Sequence, residues 1–147
     1  MNIRQASSHD SGAIQRLLTQ LGYPPPDVAF VVNKIENYSM GDYQLLVCDI
    51  EGEIVGFISL HWFDIFHSEG KIGRITALCV SEHVRAQGIG LQLMNVAEKL
   101  LRSKGCSKVE VTCNFKRTST HEFYRKIGYT EDSKRFIKTL LLEHQKE

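Results

Sequence analysis

One stretch constrains this chain more than any other: Ile72 to Lys104, IGRITALCVSEHVRAQGIGLQLMNVAEKLLRSK. It reads as a buried strand, a polar turn, a loop with two glycines and an amphipathic helix. With the alternating run Lys108-Val109-Glu110-Val111-Thr112-Cys113 after it, the order predicts a right-handed crossover between two parallel strands. In the loop, Val84-Arg85-Ala86-Gln87-Gly88-Ile89-Gly90-Leu91, glycines one residue apart let the backbone come close to a ligand. The following helix points the positive end of its dipole at the same place, so the natural occupant is an anion. A dinucleotide fingerprint would need glycine at position 93, where Leu93 stands, and a Walker loop would need Gly-Lys-Ser/Thr; neither is present. A tight turn without a ligand is the plain alternative on spacing alone.

The flanking chain supplies the rest of a sheet. Ile3 to Ala6 forms a short first strand, and Ser7 or Ser8 caps a helix with Asp10 in its first turn. Ile14, Leu17, Leu18 and Leu21 fall at helical spacing before the stop at Gly22. Beyond Pro24-Pro25-Pro26, Asp27 opens a second helix that runs to about Asn37. Tyr43–Ile50 and Glu53–Phe63, joined by Glu51-Gly52, predict a hairpin. Ser119-x-x-Glu122 has capping-box form ahead of a short helix ending at Gly128, and Tyr129 to Leu142 predicts a final hairpin. The expectation is one domain, residues 1–147, of α/β (α+β) class: a mixed, mostly antiparallel sheet with helices on both faces.

Composition narrows the partners. Eighteen basic against 17 acidic residues give a net charge of +1, no general attraction for nucleic acid or an anionic membrane. No apolar run approaches the ~20 residues of a membrane span, and the start lacks the apolar core of a signal peptide, which points to a cytoplasmic protein. Cys48, Cys79, Cys106 and Cys113 have no paired C-x-x-C spacing, so neither a disulfide framework nor a structural zinc is expected. His61, Asp64 and His67 do not have diagnostic metal spacing either, and no metal is expected.

Val80-x4-Arg85-x-x-Gly88-x-Gly90-x-x-Leu93 resembles the acyl-CoA pyrophosphate loop of the GNAT superfamily of N-acetyltransferases, [Q/R]-x-x-G-x-[G/A]. His121-Glu122-Phe123-Tyr124-Arg125-Lys126-Ile127-Gly128-Tyr129 is similar to that family's second motif, an F-Y pair opening a short helix that ends in Gly-Phe/Tyr. The order of elements matches as well. The resemblance implies a three-layer fold whose parallel strands splay, with acetyl-CoA as co-substrate in the gap. Backbone groups of Leu78, Cys79 and Val80 would meet the pantetheine arm, and N–H groups from Arg85, Ala86, Gln87, Gly88, Ile89, Gly90 and Leu91 the pyrophosphate. Asn114 resembles the asparagine that contacts pantetheine. Tyr124 resembles the tyrosine that faces the sulfur.

Acetyl transfer requires the amine to lose a proton and the thiolate to gain one. A phenol, protonated at neutral pH, suits Tyr124 to the second task. For the first, some family members place Glu on the strand before the loop, where this chain has Arg74; Glu69, His61, His67 or a water chain are the alternatives. The stretch His61-Trp62-Phe63-Asp64-Ile65-Phe66-His67 suggests one wall of an acceptor pocket. Leu60-His61…His67, Asn114-x-Lys116-Arg117-x3-His121-x-Phe123-Tyr124 and Ser133-x-Arg135-Phe136-x-Lys138 look like aminoalkylphosphonate N-acetyltransferases and their small-amine relatives. That implies a small-molecule amine with an acidic group held by Arg74, Arg117 or Arg135, and leaves room for a homodimer. The alternatives are a protein N-terminus or lysine as acceptor, or an acyl-CoA-binding regulatory module without catalysis.

Overall fold

The hairpin at Glu51-Gly52 forms because both residues take left-handed backbone, φ +52° and +87°, as a tight two-residue turn demands. It joins β2 (Tyr43–Ile50) to β3 (Glu53–Asp64), the middle of a five-stranded sheet. The structure is a computed structural model that describes residues 1–24, 26–112, 118–132 and 134–141. β1 (Asn2–Gln5), β2, β3 and β4 (Lys71–Val80) pair antiparallel in chain order; β5 (Cys106–Val111) joins β4 in parallel. The crossover helix is α3, Ile89–Ser103.

Helices cover both faces. α1 (Ser11–Leu21) and α2 (Val28–Asn37) bring Ile14, Leu17, Val31 and Ile35 onto Leu45, Val47, Phe57 and Cys79. α3 lies on the other face, close enough that a side-chain carbon added at Gly73 would meet Leu101 at 2.6 Å, and one at Gly56 would meet Leu93 at 3.2 Å. These glycines on β4 and β3 are what let the helix seat Leu93, Met94, Ala97 and Leu101, all fully buried. Asp27 caps α2 as expected, its carboxylate accepting from the Ala29 N–H at 3.1 Å.

Three expectations shift. Ser7 caps a 3-10 turn over Ser8–Asp10 rather than the helix itself, and α1 begins directly after that turn, at Ser11. The short helix α4 spans Thr118–Lys126, so Ser119 lies inside it rather than at its cap. The final hairpin is absent among the described residues: residues 129–132 and 134–141 join no strand. Arg135-Phe136-Ile137-Lys138 has the composition of a strand, but without a ladder partner composition does not make one. The chain divides into two compact units, residues 1–112 and 113–147.

A buried carboxylate ties β1 to the first turn. Asp10, 5% exposed, accepts from Arg4 Nη1 at 2.9 Å, Arg4 Nη2 at 3.0 Å and the Ser7 N–H at 2.8 Å. Arg4 also reaches Asp49 on β2 at 3.3 Å. The Arg4 hydrogen bonds hold the Asp10 carboxyl below its usual range against the opposing effect of burial. A depressed folded value means that the stabilisation is complete above the unfolded value of about 4 and is lost as pH falls through the folded one. Asp10→Ala should therefore cost about 1–3 kcal/mol at neutral pH, the expected loss for a buried charged acceptor. The difference from the unsubstituted protein should shrink below about pH 4. Urea melts at pH 7 and pH 3 check this; an equal gap at both would refute it.

Candidate functional site

β4 is longer than its parallel partnership. Its pairing with β5 runs from Lys71 to Ile75, opposite Cys106 to Val111, and β4 then continues five residues to Val80. The change comes at a bulge: Ser59 on β3 faces Ala77, yet Leu60 faces Ile75, so Thr76 is the extra residue. Past it, Ser81 N–H donates to Val55 C=O at 2.8 Å, which fixes the hydrogen-bonding phase of the β3–β4 ladder. In that phase Ala77 and Cys79 turn their peptide groups toward β3, while Leu78 and Val80 turn theirs to the opposite edge. Of the three residues expected to offer backbone there, Cys79 is thus engaged on the inner side. Its thiol donates to Leu17 C=O at 3.2 Å under α1.

The glycine loop follows directly. Arg85 is extended at φ −65°, Ala86 is left-handed at +66° and Gly88 at +81°; Gln87 between them is not left-handed. Alternation of this kind turns successive N–H groups toward one side, a concavity suited to anions. Ala86 is the less expected member, since a residue with a Cβ holds this conformation at a cost of about 1–2 kcal/mol. Gly90, by contrast, is ordinary helix in the first turn of α3. Gly88 is the N-cap of α3 with no side-chain cap, so the helix's first donors are not taken up by a capping side chain. Arg85 curls back instead of reaching outward, its Nε donating to Val80 C=O at 3.3 Å. Arg85, Ala86, Gln87 and Gly88 are exposed, Ile89 is buried, and Leu91 is 39% exposed.

On the sheet face shared with α1 and α2, a cleft of about 430 Å³ has Ala77 of β4 in its lining, together with Leu18, Tyr23, Pro24, Pro26 and Phe30. This is the size range of small-molecule sites, and no charged residue lines it among the described residues. Farther along the same face stand His61, Phe63 and Arg74. The stretch from His61 to His67 does not form a single wall, because a strand sends alternate residues to opposite faces. Trp62 is buried on the α3 side with Lys104 Nζ 5.4 Å from its ring, and Phe66, His67 and Glu69 are exposed beyond the strand end. No group of three or more His, Cys, Asp or Glu among the described residues is arranged to hold a metal ion.

Arg74 is committed to Glu110, its register partner on β5, with Nε 2.6 Å from Oε1. That places a carboxylate beside Arg74 from the neighbouring strand, 36 residues away in sequence. Sequence spacing does not reveal that pairing; only the β4–β5 register does. Asn114 and Arg117 lie outside the described residues. In the second unit, Tyr124 is buried on α4, its ring edge-on to Phe123 at 5.2 Å and to Tyr129 at 5.7 Å. Gly128, left-handed at φ +102°, ends that helix, and Tyr129 N–H returns to Tyr124 C=O at 2.9 Å. Arg135 is exposed.

Comparison with known proteins agrees with this architecture. Residues 13–129 match the model of the Acetyltransferase (GNAT) family. An aminoalkylphosphonate N-acetyltransferase of Salmonella typhimurium is 33% identical over 143 residues, covering 94% of this chain and 90% of that one. Glucosamine-6-phosphate N-acetyltransferase from Arabidopsis thaliana superposes with a TM-score of 0.82 at 25% identity, over 94% of this chain and 97% of that one. A Bacillus halodurans protein described as a transcriptional regulator has a TM-score of 0.85 at 19% identity, covering 95% and 99% of the two chains, a likeness of fold alone. A parallel β4–β5 pair ending beside a bulge among the described residues, an uncapped helix behind a left-handed loop and a family match across 13–129 lead to one conclusion: the chain belongs to the GNAT family and is an N-acetyltransferase.

Proposed function

We propose that the protein transfers an acetyl group from acetyl-CoA to the primary amine of a small molecule, working as one catalytic domain over residues 1–147. The observation that carries this reading is the loop from Arg85 to Gly88, left-handed at Ala86 and Gly88 and capped by no side chain. Its N–H groups and the α3 dipole suit a pyrophosphate. The outward peptide edge of Leu78 and Val80 suits the amide-bearing pantetheine arm, which can lie against it as an added strand does. Cys79, locked to β3 and α1, holds that edge in place. Acetyl-CoA supplies the acetyl group as an activated thioester. Asn114 is assigned to the pantetheine arm.

Tyr124 is assigned as general acid, its phenol delivering a proton to the departing sulfur. The acceptor is a small amine carrying an acidic group, as the name of the Salmonella relative says of that protein. Arg117 and Arg135 are the candidates to hold the acid, with His67 at the rim. Arg74 is already paired with Glu110.

The test is thiol release and product mass in acetyl-CoA with a panel of amines: aminoalkylphosphonates, amino acids, plain alkylamines and a lysine peptide. Acid-bearing small amines should turn over fastest. Preference for the peptide, or acetyl-CoA binding with no acetylated product, would overturn the assignment.

A further inference from the structure

His61 sits in a row of rings. Tyr43 on β2 stacks on it at 5.5 Å and 15°, Phe63 at 5.3 Å and 28°, and Tyr38, just after α2, leans on Tyr43 at 4.9 Å. Its direct partner on β4 is Arg74, whose guanidinium lies 5.0 Å from the Phe63 ring centroid and is held by Glu110 on β5. Among the described residues nothing hydrogen-bonds either ring nitrogen of His61, although the ring is half-buried. Packing accounts for the stacked faces. It does not account for a polar edge without a hydrogen bond among the described residues, on the sheet face that also carries Ala77 of the cleft. Ala77, in the cleft's lining, faces Ser59, and His61 is two residues along β3 on the same side, about 7 Å farther.

We propose that His61 is the general base of the acceptor site, one ring nitrogen taking the proton from the incoming ammonium so that the amine attacks neutral. The proposal rests on the acetyl transfer to a small amine proposed above. As the N–C bond forms and the thioester C–S bond breaks, RNH3+ gives up two protons. One ends on sulfur in the thiol, and the other passes through His61 to water. The products are an amide, a thiol and one free proton, with no change of oxidation state.

The surroundings fit a base that cycles. Burial pushes His61 below its ordinary range and the Arg74 charge adds to this, so the ring is neutral and ready to accept at neutral pH. Glu110 acts in the opposite direction and offsets the charge that the ring gains. Tyr43, Arg74 and Glu110 are the titratable or charged groups that the neighbouring strands present to it. The other candidates, His67 and Glu69, are exposed in the turn between β3 and β4.

The pH profile of kcat/KM decides. In the unsubstituted enzyme activity should fall on the acid side through one ionisation below the usual 6.5 of histidine. His61→Gln should lower kcat/KM at neutral pH by about 100-fold or more, remove that limb, and recover part of the loss at alkaline pH, where the amine is neutral without help. Acetyl-CoA affinity within about twofold of normal certifies the fold. Arg74→Gln is the second probe: it removes the charge that depresses His61 and frees Glu110, so the acid limb should move to higher pH. A merely structural role would leave the limb where it was. Turnover within about twofold in His61→Gln, or an unmoved limb in Arg74→Gln, removes the base assignment alone. No acetylation of any amine by the unsubstituted protein removes the transfer reading, and the base with it.

Discussion

Tyr124→Phe is expected to lower kcat by about 100-fold or more, while the affinity for acetyl-CoA changes by no more than about twofold. The substitution deletes one oxygen and keeps the ring, so the edge contacts with Phe123 and Tyr129 at 5.2 and 5.7 Å survive and α4 keeps its packing. If the phenol is the proton donor proposed for the departing sulfur, kcat and kcat/KM should fall together. A thiol has an ordinary pKa near ~8.5 and is a competent leaving group unaided, which places the loss at the lower end of the ~10²–10⁴ range for general acids. Turnover within about twofold of normal would mean that another group or water protonates the thiolate, and Tyr124 would revert to a packed tyrosine.

Local chemistry made much of this fold legible before any coordinates. Left-handed positions announced the Glu51-Gly52 turn and the stop at Gly22, Asp27 announced its helix, and apolar spacing announced α1 and α3. These signals act within a few residues. The site was less legible wherever it depends on which residues face each other across strands. The bulge at Thr76 exists only as a mismatch between β3 and β4, and the Arg74–Glu110 pair only as a register between β4 and β5. The stretch from His61 to His67 misleads for the same reason, since a run of aromatics in sequence is two half-runs on opposite faces of a sheet. At the C-terminal end Arg135 to Leu141 carries strand-forming residues, but strand formation needs a partner that composition cannot provide.

Gly88→Glu should fold and bind acetyl-CoA much more weakly. At φ +81° a side chain strains the backbone by about 1–2 kcal/mol, so stability should fall by that much. Apart from its neighbours in the chain, no atom of a described residue lies within 4 Å of where its Cβ would stand, so the side chain projects away from the core. On that side lies the concavity assigned to the pyrophosphate. A carboxylate about 4 Å from one phosphate charge costs roughly 1 kcal/mol at the dielectric of water and about 4 kcal/mol at an effective value of 20. With ~1.4 kcal/mol per tenfold, affinity should drop by about 5- to 700-fold. Gly88→Gln separates bulk from charge: it carries the same strain and volume but should lose markedly less, and added salt should narrow the gap between the two. Calorimetric titration of acetyl-CoA into both variants gives the answer. Equal losses would assign the effect to sterics, whereas unchanged affinity in Gly88→Glu would take the loop out of the donor site and leave its left-handed backbone without a ligand to explain it.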